Sequence, residues 1–316
     1  MIDLNLSFAL FCFLNTLFVV LISPLFMGFV KKVKAYAQGR RGPPLLQQYY
    51  NILKLMKKET MYSSNSSWVM RATPYVNITV LLTASLFVPL LFVPEPVFGI
   101  GNVIVFIYLL AVARFFMALS GLDAGSTFGG MGSSREMSIS SIIEPITIIV
   151  LTALVFTMNT LSLHEMFLAS ASSLFLSNPA LVLISISLFI ILIVETARVP
   201  VDNPETHLEL TMVHEAMILE YSGRDLALME LSHAIKQALL MAILINIIFP
   251  LGLAVEISAI GLIIAAMAFV LKGVLLSAII GIFESSLAKS RLFLIPNLFM
   301  IAFFLSILTI FWEVFK

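Results

Sequence analysis

The sequence predicts an all-α integral membrane protein: one membrane domain over residues 1–316, with about eight transmembrane helices and amphipathic helices in its cytoplasmic loops. Hydrophobic residues make up 60% of the chain and charged residues only 11%, whereas soluble domains carry roughly one quarter charged residues. Several apolar runs approach the ~20 residues that a helix needs to cross a bilayer. Basic residues are concentrated in alternate loops, which gives the helices a consistent orientation.

Eight apolar runs are long enough to cross a hydrocarbon core of ~30 Å, because a helix rises about 1.5 Å per residue. The first run is longer than the ~7–15 residues of a signal-peptide core and follows Asp3 instead of a basic segment, so we expect it to remain as a helix. The predicted spans are Leu4–Val30, Pro74–Val93, Val97–Leu119, Ile139–Met158, Pro179–Val194, Ala238–Val255, Ile257–Phe283 and Leu292–Trp312.

Lysine and arginine predict how these helices are oriented. Nine of the 18 basic residues lie between the first two spans, and most others lie in or beside alternate loops on the same side. The opposite loops carry acidic residues and neither lysine nor arginine, leaving only Lys316 at the C-terminus. Both termini are therefore predicted to lie outside. The predicted cytoplasmic loops are residues 31–73, 120–138, 195–237 and 284–291.

The chain has one cysteine, Cys12, within the first predicted helix. One thiol cannot form an internal disulfide, a four-thiolate zinc site or an iron–sulfur cluster. The segment HEAMI at 214–218 begins like a zinc-protease helix, but Ile218 occupies the place of the second histidine. We therefore expect no metal, redox centre or other cofactor in this chain, and no nucleic acid as a partner.

The glycine-rich segment GLDAGSTFGGMGSSRE at 121–136 is predicted to be a tight turn between two helices. It lacks the lysine of a phosphate-binding loop, and Arg135 stands where a dinucleotide fingerprint needs its third glycine. Ser133 and Glu136 have the spacing of a helix-starting capping box, with Ser133 as the N-cap. Thr206 and Glu209 repeat this spacing after Pro204.

The segment VETARVPVDNPETHLELTMVHE at 194–215 concentrates acidic residues between two apolar runs. If 205–220 is one helix at about 100° per residue, its histidines lie on one side and three carboxylates group within ~60° on the other. The grouping favours a functional cluster, although a charged exposed helix can also produce it by chance. The three carboxylates are Glu205, Glu209 and Glu220.

Ionisable residues also occur inside the predicted spans, namely Arg114, Glu144, Glu195 and Lys272. A charge at the bilayer centre costs from ~3 to more than 10 kcal/mol, so such groups face protein or water and usually have a partner. Two interpretations follow. The charges neutralise each other and hold helices together, or they form a file of titratable groups that leads from the acidic loop to the middle of the membrane.

Several motifs resemble the subunit-one family of respiratory complex I. QGRRGP at 38–43, with LLQQYYNILKLMKKE after it, is similar to that family's first cytoplasmic loop, and VETARVPVDNPE at 194–205 with EYSG at 220–223 is similar to its third. The segments AGSTFGGMGSSRE and DNPETHLELTMVHEAMILEYSGRDLAL look closer to relatives in membrane-bound nickel–iron hydrogenases and formate hydrogenlyase.

This resemblance implies a membrane anchor that is not catalytic by itself. Its cytoplasmic loops would dock peripheral hydrogenase-like subunits that hold iron–sulfur clusters and a nickel–iron centre. Its other side would meet antiporter-like membrane subunits that move protons or sodium, and the remaining surface would contact lipids.

The resemblance and the charges noted above together assign roles to residues, and Arg198 is expected to hold the neighbouring Glu195 ionised. The candidates are an ion relay of Glu144, Glu195, Asp202, Glu205, Glu209 and Glu220, charge partners Arg114, Arg198 and Lys272, and docking residues Arg40, Arg41 and Arg135.

The chain departs from the complex I pattern at Pro44, where that family has asparagine, and at His207 and His233, where it has acids. In complex I these loops line a quinone chamber, so the departures favour a hydrogenase-type complex that passes electrons from ferredoxin to protons or to a sulfur compound. A quinone-site subunit and a stand-alone transporter stay as alternatives. For the transporter, the sequence contains no internal repeat and no paired broken helices.

Overall fold

The computed structural model describes residues 2–93, 101–172, 178–203, 212–254 and 258–315. All regular elements in these ranges are helices, apart from two isolated β-bridges. A short 3-10 turn at Leu292–Leu294 precedes the last helix. The α-helices are α1 Ile2–Ala37, α2 Gln47–Met56, α3 Trp68–Ser85, α4 Val103–Asp123, α5 Thr127–Met158, α6 Leu163–Ser172, α7 Pro179–Glu195, α8 His214–Ile218, α9 Gly223–Ile248, α10 Ala259–Ser286 and α11 Ile295–Phe315.

Within the described ranges, six helices are long and apolar enough to cross a membrane: α1, α4, α5, α9, α10 and α11. The prediction of an all-α, multi-pass membrane protein is confirmed. Each of the other two predicted spans also coincides with a helix. However, α7 has only 17 residues, and α3 has 18 residues that include Arg71 and Asn77.

The boundaries of α9 differ from the prediction, which began this helix at Ala238. It begins at Gly223 and contacts α1, α2, α3 and α7. Its first half carries charged residues, which lower its mean hydropathy. These residues were therefore predicted to lie in a loop. Asp225 is nevertheless buried, and so is most of the helix. The helix therefore passes through the centre of the molecule, with Asp225 buried and Arg224 exposed at its start.

The capping box at Ser133 is wrong, because α5 begins seven residues earlier. Ser126 is the N-cap, and its hydroxyl accepts a hydrogen bond of 3.1 Å from the Gly129 amide. The glycines continue the helix because they bring it close to its neighbours. A Cβ on Gly129 would lie 2.6 Å from the Gly121 carbonyl oxygen, and one on Gly132 would lie 2.9 Å from that of Val213.

The single helix predicted over 205–220 is also wrong in its described part. Residues 212 and 213 are not helical, and α8 covers only five residues. The backbone reverses direction earlier, just after α7, where Ala197 takes a left-handed conformation with φ of 46°. The predicted residues Glu205, Thr206, His207 and Glu209 lie outside the described residues.

Two non-helical segments, residues 86–93 after α3 and 249–254 after α9, lie against each other. The Ala254 amide donates to the Leu91 carbonyl at 2.9 Å. Asn15 of α1 forms hydrogen bonds with the backbone of the first segment. Its side-chain NH₂ donates to the Ser85 and Val88 carbonyls, and its side-chain oxygen accepts from the Leu90 amide at 3.0 Å. These hydrogen bonds replace those that a helix would provide. They are needed because backbone polar groups at membrane depth must find their partners within the protein.

Candidate functional site

Five charged residues from four helices meet around Arg114, and we call them the Arg114 cluster. The guanidinium of Arg114 lies 2.9 Å from the Glu144 carboxylate, 3.8 Å from that of Glu136, and in direct contact with that of Glu195. Lys236 of α9 binds the second oxygen of Glu195 at 2.7 Å. Two cations therefore face three carboxylates.

The burial of these groups differs strongly within the cluster. The Glu195 side chain is 3% exposed and that of Arg114 is 6% exposed, whereas Glu144 is 43% exposed. Removing one member of a buried ion pair is costly, because the other charge stays behind without a partner. Glu195 therefore holds the cluster together, and Glu144 lies at its outer edge.

The structure brings together Arg114, Glu144 and Glu195. Mutual neutralisation was one of the two interpretations of the charges inside the predicted spans. The expectation that Arg198 holds Glu195 ionised is wrong. Because the backbone turns at Ala197, the side chain of Arg198 points to a different set of partners.

Arg198 belongs to a second buried group, the Arg198 cluster. Its guanidinium donates to Glu284 of α10 at 2.7 Å and to the side-chain oxygen of Gln237 at 2.6 Å. Glu284 also pairs with Lys34 of α1 at 3.4 Å. All four residues are buried. The cluster joins α1, α9 and α10 to the turn after α7.

Asp202 is a buried clamp between three segments. Its carboxylate accepts hydrogen bonds from the backbone amides of Val213 and His214 at 2.9 and 3.2 Å, which satisfies amides at the start of α8. Lys289, beyond α10, donates to its other oxygen at 2.7 Å. Asp202 therefore positions α8, in addition to any part in an ion path.

A cavity of about 120 Å³ lies beside the Arg198 cluster. Gln48 bridges part of its lining, because its side chain accepts from Lys31 at 3.5 Å and donates to Glu230 at 3.1 Å. A second cavity of about 40 Å³ lies beside the Arg114 cluster. Polar residues that line the first cavity include Lys31, Gln48, Asn51, Thr196, Arg198, His214, Glu215, Glu230, His233 and Glu284.

His214 of α8 and His233 of α9 line both cavities. Their ring centroids are 4.4 Å apart, and Nδ1 of His233 is buried without a hydrogen-bond partner among the described residues. Burial lowers the pKa of His214 to about 4, and the positive charge of Lys236 acts in the same direction. A neutral imidazole carries one donor and one acceptor nitrogen, so it can accept a proton on one side and release one on the other.

Glu215 is a carboxyl group of the first cavity whose pKa lies close to neutrality. Burial raises the pKa of Glu215 to about 7, and the neighbouring Glu230 and Asp202 add to this effect. Lys31 opposes it. A carboxyl group with such a pKa changes its charge in the pH range where cells work.

The raised pKa of Glu215 predicts that the folded protein loses stability as pH rises. The folded chain holds this proton up to about pH 7, whereas the unfolded chain releases it near the ordinary value of 4.5. Between these values the folded state binds more protons, so stability falls with rising pH and stays at the lower level above pH 7. Glu215→Gln should remove this part of the decline, measured as thermal midpoints of the detergent-purified protein from pH 4.5 to 8. The same slope in both proteins would contradict the assignment.

Two other candidates lie away from these clusters. Lys272, predicted to partner a buried charge, donates instead to the backbone carbonyls of Phe249, at 2.7 Å, and Leu251. Glu220, predicted as part of the relay, is exposed at the turn after α8.

The three predicted docking residues divide into two groups. Arg40 and Arg41 are exposed in the segment between α1 and α2, where a partner can reach them. Arg135 instead donates to the Met212 carbonyl at 2.9 Å and is partly buried. It therefore helps to fix the entry into α8.

Sequence reasoning missed several members of the site: Lys31, Lys34, Glu136, Glu215, Glu230, Lys236 and Glu284. Most of them lie in stretches predicted to be cytoplasmic loops, where charges are ordinary. One signal was available, because Lys31 and Lys34 continue the helix of the first apolar run without a glycine or proline between them.

The chain is similar to known proteins along nearly its whole length. A family profile described as NADH dehydrogenase matches residues 9–314. Hydrogenase-4 component C of Escherichia coli (strain K12) is 32% identical over 305 residues, covering 96% of this chain and 95% of that protein. Formate hydrogenlyase subunit 4 of the same strain is 30% identical over 289 residues, covering 92% and 93% respectively.

A more distant match is a subunit of the NADH-quinone oxidoreductase of Wolbachia pipientis wMel, 29% identical over 245 residues, which cover 71% of this chain and 70% of that protein. Among solved structures, a chain of the membrane-bound sulfane sulfur reductase, an archaeal respiratory membrane complex, superposes with a TM-score of 0.78. It is 19% identical, with 96% of this chain and 99% of that chain covered, which supports the fold. The resemblance predicted from the motifs is confirmed.

Proposed function

The chain belongs to the NADH dehydrogenase family, and from this premise we propose that it is the membrane anchor subunit of a complex I-related, hydrogenase-type respiratory complex. In this role it docks a peripheral arm that holds iron–sulfur clusters. It also links electron transfer in that arm to proton or sodium translocation through its buried charged residues.

The similarity to known subunits supports the hydrogenase type over the quinone type. The two relatives with hydrogenase or hydrogenlyase in their names match more than nine tenths of the chain, whereas the quinone oxidoreductase subunit matches 71%.

One observation carries the translocation proposal: the two polar cavities share His214 and His233, whose ring centroids are 4.4 Å apart. Glu215 exchanges a proton in the first cavity. His214 and His233 pass it to the second, where the Arg114 cluster lies. Glu144, half exposed at the far edge of that cluster, then delivers the charge to a neighbouring subunit. The proposed path therefore begins at Glu215, passes His214 and His233 between the two cavities, and ends at Glu144.

Docking of the arm is assigned to the exposed basic segment between α1 and α2. Reversing both charges, Arg40→Glu with Arg41→Glu, should lower recovery of the arm by roughly tenfold or more, since like charges across an interface cost several kcal/mol. The measurement is affinity purification through this chain from native membranes, followed by quantification of iron–sulfur subunits.

The matched control is Arg291→Glu, an exposed arginine beyond α10 on the same predicted side. It should leave recovery of the arm unchanged. Full recovery of the arm with the double charge reversal would contradict the docking role. If the unsubstituted chain brings no iron–sulfur subunits with it, the chain is a stand-alone transporter and the proposed function is wrong.

A further inference from the structure

Lys272 lies in the middle of the long apolar helix α10. It is separated by 13 residues from Ala259 at the start and by 14 from Ser286 at the end, or about 20 Å in each direction. The residues from 259 to 271 are all apolar, and residues 273–283 contain only one polar residue, a serine. Its ammonium group is therefore at mid-membrane depth, too far from either interface to reach it by extending along the helix.

The C-terminal end of α9 lies beside Lys272 and so at the same depth. Lys272 donates to the carbonyls of Phe249 and Leu251, which follow the end of α9. Gly252 approaches α10 one turn earlier, since a Cβ on this glycine would lie 2.9 Å from the Cβ of Ala268. Residues 249–252 are thus non-helical backbone about halfway across the membrane.

This region is open on the surface of the chain. Phe249 is 54% exposed, Leu251 is 74% exposed and Leu271 of α10 is 65% exposed. Irregular backbone at membrane depth does not face lipid, because lipid cannot satisfy its polar groups. A partly exposed ammonium at this depth is costly for the same reason. Both facts indicate that protein or water, and not lipid, covers this face.

The charge of Lys272 indicates what that protein must carry. The two described acceptors of its ammonium are neutral carbonyls, so they satisfy hydrogen bonds without compensating the positive charge. An ammonium has three donors, and acceptors among the described residues take two of them. The apolar side chains around it suit a close helix contact.

We propose that this face, formed by residues 249–252 with Leu271, Lys272 and Leu275, docks a transmembrane helix of another subunit that presents a carboxylate to Lys272 at mid-membrane depth. The proposal rests on the proposed function only in requiring that the chain assembles with other membrane subunits. It assigns the face and the partner chemistry, which that function leaves open.

A photo-crosslinking residue at Leu271 tests what covers the face, with the complex purified intact in mild detergent and lipid. Cys12→Ser is made in the same chain so that a cysteine at Leu251 can confirm the contact with a thiol crosslinker. The expected adduct joins a membrane segment of a different subunit with Asp or Glu within one helical turn. An adduct to lipid alone, to a second copy of this chain, or to a segment without an acid overturns the proposal.

The charge is tested by Lys272→Met, with Lys272→Arg as the matched control. Lys272→Met should lower retention of the crosslinked subunit by about tenfold, equivalent to roughly 1.4 kcal/mol, while Lys272→Arg stays within about threefold of the unsubstituted complex. Unchanged retention in both variants, or equal loss in both, overturns the proposal. Recovery of the peripheral arm through Arg40 and Arg41 reports separately on the proposed function.

Discussion

Replacing Glu144 by glutamine is expected to reduce ion translocation by about tenfold or more, because the amide cannot take up or release a proton. Assembly should be spared. The side chain is 43% exposed, and Arg114 keeps Glu195 and Glu136 as partners after the change. Electron transfer, which takes place in the peripheral subunits of the proposed complex, should continue.

The measurement uses the complex reconstituted in sealed vesicles, with ion uptake and dye-linked hydrogenase turnover recorded on the same sample. Glu59→Gln, at an exposed carboxylate between α2 and α3, is the control and should change neither rate. If Glu144→Gln assembles and translocates at the normal rate, Glu144 is structural and the path does not pass through it.

Replacing Glu195, in the same cluster, should instead destabilise the protein by about 3–5 kcal/mol, because Glu195→Gln leaves Lys236 without its carboxylate and removes the most buried partner of Arg114, which keeps Glu144 and Glu136. Membranes should then contain less than about a tenth of the normal amount of complex, because losses of this size approach total folding stabilities. The amount is measured by quantitative immunodetection, and stability by thermal unfolding in detergent.

A second substitution separates this charge effect from a change of shape. Adding Lys236→Met to Glu195→Gln removes the cation whose carboxylate was lost, and it should restore much of the lost stability. Lys236→Met alone leaves Glu195 bound to Arg114 and should be milder than Glu195→Gln. If the double variant is no more stable than Glu195→Gln, the pairing seen in the cluster is not what stabilises it.

The fold was predictable from the sequence to the extent that apolar length determines it. Runs near 20 residues become helices wherever water is excluded, and each of the eight predicted spans overlaps a helix, although residues 86–93 and 249–254 at the ends of two of them are non-helical. The starts of α5 and α9 were not predictable, because they depend on contacts made elsewhere. In the sequence, the glycines at 129 and 132 predict a turn, whereas in the structure they allow α4 and α8 to pack closely against α5. The charged residues of α9 predict a loop, whereas in the structure most of this helix is buried.

The site was predictable only in part, for a related reason. Arg114, Glu144 and Glu195 could be singled out because a charge inside an apolar run is costly wherever it points. Glu215 and Glu284 could not, since charges near a predicted interface are ordinary in sequence and their burial depends on tertiary packing. Arg198 was assigned to the wrong partner because one left-handed residue, Ala197, redirects the chain between it and Glu195.

That left-handed turn has a thermodynamic consequence of its own. Three peptide bonds join Glu195 of one buried ionic group to Arg198 of the other, so a movement of the turn acts on both groups. If a change of charge in one group alters the proton affinity of the other through this turn, a change of charge in the second alters the proton affinity of the first by the same factor. The short turn between Glu195 and Arg198 thus couples the two ionic clusters in both directions.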